Sequence, residues 1–115
     1  MKLFVRELGT GAPVIILHGL FGMSDNWMTL AKRFSGNRFH IFVPDLRNHG
    51  QSPHSDEWNF QIMAEDILEL MQDRNITRPV IIGHSLGGKV AMKMTLMHPE
   101  KFSGLVVSDI APKKY

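Results

Sequence analysis

No cysteine occurs among the 115 residues. Its absence excludes disulfides, thiolate catalysis and cysteine-built metal centres, and it fits a reducing compartment. An excess of one charge is also missing. Thirteen Lys and Arg stand against 11 Asp and Glu, giving a formal net charge of +2. The cations are scattered, paired only at Lys32-Arg33 and, near the end, at Lys113-Lys114. That distribution leaves no footprint for nucleic acid. Long apolar runs are lacking too: the longest purely aliphatic stretches, such as Val14 to Leu17, fall far short of the roughly 20 residues that cross a bilayer. The first residues, Met1-Lys2-Leu3-Phe4-Val5-Arg6-Glu7, meet charge too early to supply the apolar core of a secretion signal. The expectation is a soluble cytoplasmic chain with neither membrane nor nucleic acid as partner.

What is present is the composition of an ordinary globular domain, 43% hydrophobic and 21% charged, with room for one core. Periodicity and turn signals divide it into alternating strands and helices. Strands are expected at Leu3 to Leu8, Val14 to Leu17, Phe39 to Val43, Val80 to Ile82 and Gly104 to Ser108. Ser24 suits the N-cap of a helix running to about Phe34, with Gly36 ending it. Asn59 can cap a second helix, whose apolar positions Phe60, Met63, Ala64, Ile67, Leu70 and Met71 share one face. A third runs from Leu86 to Met97 and stops at His98-Pro99. No repeat or linker interrupts the order β-β-α-β-α-β-α-β. Such alternation predicts a single α/β domain over residues 1–115, a mostly parallel sheet of about five strands with three helices on its two faces. Only a few residues follow the last strand, so that side of the sheet is expected to lack its covering helix and to present an open edge.

Gly83-His84-Ser85-Leu86-Gly87 has the form G-x-S-x-G, with an apolar strand before it and an apolar helix after it. A serine hydroxyl is a poor nucleophile until it is lifted clear of the sheet and set beside a base. A sharp strand-to-helix turn does the lifting, and side chains two positions either side would collide there, so both are glycine. The bland alternative is a glycine-rich helix start with Ser85 as its cap. Gly88 allows close helix–sheet packing and favours the strained turn.

Acyl transfer also needs two backbone donors for the developing oxyanion. The N–H of Leu86 is one candidate. The second is expected in the loop after Val14 to Leu17, where His18-Gly19-Leu20-Phe21-Gly22 makes the N–H of Leu20 the first choice and that of Phe21 the next. His18 is expected to be tied to loop backbone rather than to move protons.

Leu17-His18-Gly19-Leu20-Phe21-Gly22, Pro44-Asp45-Leu46-Arg47-Asn48-His49-Gly50-Gln51-Ser52 and Ile82-Gly83-His84-Ser85-Leu86-Gly87-Gly88 resemble the ordered signature blocks of α/β-hydrolases. The Asn48-His49-Gly50 variant and the ending Val107-Ser108-Asp109-Ile110-Ala111-Pro112 are similar to the bacterial YbfF-type esterases and their mitochondrial relatives. The resemblance covers essentially the whole chain but only the first half of such an enzyme. It implies Ser85 as nucleophile and Asp109 as the acid of a triad, with a carboxylic ester or thioester as substrate and no cofactor. It also implies a helical lid, further core strands and a catalytic histidine beyond Tyr115.

None of the six histidines stands where that base belongs, and His49 is the only substitute worth testing. Removing the histidine from a serine hydrolase costs roughly 10⁶ in kcat, leaving about 10³–10⁴ over water. The chain alone is therefore expected to be nearly inactive, and to self-associate or take up its missing C-terminal part through the open sheet edge. Asp45 and Arg47 are expected to brace their loop. The eight methionines are expected to fill the core rather than bind a cofactor, and Trp27 and Trp58 to be partly buried in it rather than to line an acyl pocket. No metal site or phosphate loop is read. Carbon–carbon bond hydrolases and cofactor-free haloperoxidases share the serine. A non-catalytic scaffold derived from the fold is the alternative of another class.

Overall fold

A computed structural model describes residues 1–19, 27–34 and 36–108. Five strands form one sheet: β1 (Val5–Leu8), β2 (Ala12–Leu17), β3 (Phe39–Pro44), β4 (Val80–His84) and β5 (Gly104–Ser108). Three helices, α1 (Met28–Phe34), α2 (Phe60–Asp73) and α3 (Leu86–Met97), connect them, with a short 3₁₀ turn at Pro99–Lys101. The strand order is β1-β3-β2-β4-β5. β1 is antiparallel to β3 and the other pairings are parallel. The fold is thus the mostly parallel α/β sheet expected.

β2 shows why the pattern forms two layers. Successive side chains of a strand point to opposite faces. Ile15 and Leu17 enter a core with Met63, Ile67, Val90 and Met94 of α2 and α3. Val14 and Ile16 join Trp27, Ala31, Ile41 and Val43 beside α1. A strand buried on both faces needs an unbroken apolar run, and Val14-Ile15-Ile16-Leu17 is one. The strand also reaches back through Pro13, which is paired with His40 of β3. The ladder with β4 starts only at Val14, so Pro13 has a neighbour on one side only, where proline is tolerated.

Helix α2 begins where expected, with the Ile62 N–H donating to Asn59 Oδ1 at 2.8 Å. Its buried positions are Met63, Ala64, Asp66, Ile67, Leu70 and Met71. The cap assigned to α1, Ser24, lies outside the described residues. β1 starts at Val5 rather than Leu3, because the residues before it serve the loop after β3. The Phe4 carbonyl accepts from Asp45 N–H at 2.8 Å, and Phe4 N–H donates to Ser52 Oγ at 2.9 Å.

Two core assignments are corrected. Trp58 is 48% exposed; it precedes the Asn59 cap in a segment anchored by the Glu57 carbonyl, which accepts from Arg47 at 3.0 Å. Met92 is 40% exposed, because Val90, Ala91 and Met94 define the buried face of α3. Trp27 and Met94 are buried as expected.

Strands β2, β3, β4 and β5 run parallel, so the segments that follow them leave from one edge of the sheet. In open α/β sheets that carboxyl edge is where ligands bind. His18-Gly19, the loop from Asp45 to Ser52, and Ser85 all sit there.

Candidate active site

Ser85 is exposed and lies between β4 and α3 at φ 51°, ψ −112°. Positive φ is costly for a residue with a β-carbon, on the order of 1–3 kcal/mol, and persists only where surroundings impose it. The surroundings are backbone contacts. Ser85 N–H donates to the Ser108 carbonyl at 3.2 Å, and the Ser85 carbonyl accepts from Lys89 N–H at 3.0 Å. The side chain makes no capping hydrogen bond to α3. The helix-cap alternative for Ser85 therefore fails, and the hydroxyl stands clear at the start of α3.

The two flanking glycines are required by different neighbours. A β-carbon at Gly83 would stand 2.5 Å from the Gly87 carbonyl oxygen, and one at Gly87 would stand 2.3 Å from the Leu17 carbonyl oxygen. At Gly88 it would meet Val107 Cγ1 at 2.9 Å, the close helix–sheet approach expected of that residue. Leu86 is the first residue of α3, and N–H groups in a first turn have no partner within their own helix.

The segment after β2 reaches the same place. The His18 carbonyl accepts from Gly87 N–H at 3.0 Å. A β-carbon on Gly19 would lie 3.5 Å from Ser85 Cβ and 2.8 Å from His84 Cδ2. Gly19 is thus packed directly against Ser85, a contact the sequence reading did not assign. Leu20, Phe21 and Asp109 lie outside the described residues. The structure places Ser108, the residue before Asp109, against the Ser85 amide.

His18 is fully buried. Its Nε2 accepts from Leu46 N–H at 2.9 Å, and its Nδ1 is 2.7 Å from the Gly19 carbonyl oxygen. A main-chain donor on one nitrogen and a carbonyl on the other define one neutral tautomer, with the proton on Nδ1. Burial holds this imidazole below its ordinary value, helped by His49, against the opposing pull of the Gly19 carbonyl and Asp45. Tied to backbone at both nitrogens, it has no lone pair left for a proton in transit, as expected.

Three other histidines are also engaged elsewhere. His49, buried with its ring centroid 5.1 Å from that of His18, donates from Nδ1 to the Arg47 carbonyl at 2.8 Å. His84 donates from Nδ1 to the Ser108 carbonyl at 3.0 Å, and His40 contacts Glu7 at 2.9 Å. Among the described residues no hydrogen bond joins a histidine to the Ser85 hydroxyl.

The loop after β3 is rigidly braced. Asp45 Oδ2 accepts from Gln51 N–H at 2.9 Å, and a β-carbon on Gly50 (φ 50°) would strike that carboxylate at 2.4 Å. Arg47 forms a two-pronged pair with Asp66 of α2, Nε to Oδ2 at 2.8 Å and a terminal nitrogen to Oδ1 at 2.9 Å. Asp66 was not foreseen. Its signal was a carboxylate in phase with the apolar stripe of α2, between Met63 and Ile67. A hollow of about 720 Å³, lined by residues such as Glu69, Gln72, Ile76 and Arg78, lies where the chain enters β4, whereas Ser85 lies where it leaves. No group of three or more His, Asp or Glu that could hold a metal ion occurs among the described residues.

Residues 12–114 match the family model described as the alpha/beta hydrolase fold. The chain belongs to the α/β-hydrolase family. It is 38% identical over 120 residues to Esterase YbfF of Escherichia coli, an alignment covering all of this chain and 47% of that protein. It is 41% identical over 105 residues to an sn-1-specific diacylglycerol lipase of Xenopus laevis, covering 89% of this chain and 33% of that one. The solved structure of a marine microorganism esterase superposes with a TM-score of 0.91 at 48% identity, over 99% of this chain and 44% of its own. The chain therefore spans between a third and a half of the length of these relatives. This α/β-hydrolase chain has esterases and lipases as relatives, and no helix among its described residues is long and apolar enough to cross a membrane.

Proposed function

We infer that the chain carries the nucleophile and oxyanion-binding part of a serine hydrolase acting on carboxylic esters or thioesters. The observation that carries this reading is Ser85: exposed at the carboxyl edge of the sheet, held at φ 51°, without a cap bond of its own. In the proposed reaction Ser85 Oγ attacks the acyl carbonyl carbon while a histidine supplied by the rest of the enzyme takes its proton. The N–H groups of Leu86 and Leu20 receive the negative charge on the carbonyl oxygen, and Asp109 orients the histidine. The alcohol or thiol leaves with the proton, and water then releases the acid from Ser85. No step calls for a cofactor.

The same reading assigns a role to the apolar surface left open. Leu105, Val106 and Val107 of the edge strand β5 are 40%, 50% and 42% exposed. A groove of about 290 Å³ beside α1 is lined by Val14, Ile16, Ala31, Phe39, Ile41, Val80 and Ile82. Edge strands with apolar faces recruit partners. We propose that this surface pairs with the C-terminal part of the enzyme or, without it, with a second copy. A sharp monomer peak in size-exclusion chromatography of the 115-residue chain would contradict this.

Turnover of a short-chain nitrophenyl ester tests the reaction. The chain carried through to the length of its relatives is expected to be active, and the 115-residue chain nearly inert. An extended protein inert towards the ester sinks the hydrolase reading and favours a non-catalytic scaffold. Rapid turnover by the 115 residues alone refutes the requirement for a base beyond them.

A further inference from the structure

We propose that His84 is a positioning residue for the nucleophile, acting through the carbonyl of Ser108. The proposal rests on the hydrolase reading. The direction of the Ser85 side chain is set by the two planar peptides that flank it, since φ and ψ are rotations of those planes about one Cα. The plane after Ser85 is held within α3, where its carbonyl accepts from Lys89 N–H at 3.0 Å. The plane before it is held from outside the helix, by Ser85 N–H donating to the Ser108 oxygen at 3.2 Å. Without that hold φ is free to leave its costly value of 51°, and the hydroxyl moves with it.

The Ser108 oxygen belongs to the last residue of β5, and the ends of elements are where local opening starts. His84 supplies what the strand end lacks. Its Nδ1 reaches the same oxygen at 3.0 Å, and because a carbonyl only accepts, that nitrogen carries the proton. Consecutive residues thus grip one oxygen, His84 by its side chain and Ser85 by its main chain. The ring has little room to turn. Its centroid lies 6.0 Å from that of the buried Trp27. On another side a β-carbon at Gly19 would stand 2.8 Å from its Cδ2. The oxygen is therefore placed by the exit of β2 and the residue leading into α1 as well as by β5. Held so before substrate arrives, it keeps the Ser85 hydroxyl in one direction.

A histidine that merely fills the space between Trp27 and Gly19 would show the same ring contacts, so the test must separate the hydrogen bond from the ring. Asn and Leu have nearly the same shape and both lack the ring, but only Asn keeps a donor near the Nδ1 position. In the chain carried to the length of its relatives, His84→Asn is expected to keep kcat for a short-chain nitrophenyl ester within about tenfold. His84→Leu is expected to fall roughly 10- to 100-fold below the Asn variant in kcat with KM unchanged, the range that a misplaced reacting group costs. The rate of fluorophosphonate labelling at Ser85 should fall in parallel, because it depends on the same hydroxyl. Where Leu prevents folding, Gln, whose amide falls near the Nε2 position, takes its place with the same expected loss. Nitrogen-detected NMR of the unsubstituted protein should show His84 carrying a proton on Nδ1. Equal kcat in the Asn and Leu variants, a loss confined to KM, or a proton on Nε2 alone would overturn the proposal and leave the hydrolase reading intact. An unsubstituted extended protein that does not turn over the ester removes both.

Discussion

Gly87 lies so close to Leu17 that a β-carbon at position 87 would stand 2.3 Å from the Leu17 carbonyl oxygen and 2.5 Å from that of His18. This contact seats the first turn of α3 on the end of β2 and brings Ser85 beside Gly19. Gly87→Ala should push the two segments apart. Because both obstacles are backbone, the expected cost reaches the upper end of the 1–3 kcal/mol typical of overpacking, about 3 kcal/mol. Denaturant unfolding measures it; a change below about 0.5 kcal/mol would show that the seat is not tight.

Strain at Ser85 predicts a gain where a loss would be usual. Ser85→Gly removes the β-carbon that makes φ 51° unfavourable, at the cost of extra freedom in the unfolded chain. A net stabilisation of roughly 1 kcal/mol is expected, raising Tm by about 4–8 °C for a domain near this size. Ser85→Ala should give no such gain, and both should abolish ester turnover. A lower Tm for the glycine variant would mean that the turn is not strained.

Arg47 and Asp66 are both buried and paired. Removing one partner leaves the other as an uncompensated charge, which costs about 3–5 kcal/mol. Asp66→Ala should therefore destabilise by that order. Replacing the pair together, Arg47→Met with Asp66→Leu, should cost little or nothing. Equal losses in the single and double variants, measured by denaturant unfolding, would contradict this account of the loop.

These cases also show what was legible in the sequence and what was not. β2 and the start of β4 could be read because two-sided burial demands unbroken aliphatic runs, and α2 because its apolar stripe and Asn59 cap are local signals. The glycines around Ser85 were readable for the same reason, since the turn fixes their spacing. Asp66 was legible only as a carboxylate in phase with the apolar stripe of α2; its pairing was not, because its partner is 19 residues away and a carboxylate on a helix ordinarily faces water. Trp58 misled because an aromatic side chain carries no local sign of the face it will occupy. The bonds from Leu46 and Gly87 to His18 depend on three strands ending at one edge, which no single segment encodes.

His18 predicts the direction of a pH effect. Its imidazole is neutral in the fold and held below the ordinary value of about 6.5 chiefly by burial. Below that pH the unfolded chain binds a proton that the folded one refuses. Stability is therefore fully present above about pH 6.5 and is lost as pH falls below it, through the lowered folded value. His18→Asn, which does not titrate, should flatten the stability curve in that window. An unchanged slope in the variant would assign the effect to other groups.

The most direct test of the central claim is covalent labelling of Ser85. The chain carried to the length of its relatives would be treated with a fluorophosphonate and its peptides mapped by mass spectrometry, with Ser85→Ala alongside. The account predicts one adduct, on the peptide containing Ser85, and none in the variant. An unlabelled protein, or an adduct that persists after Ser85→Ala, would contradict it.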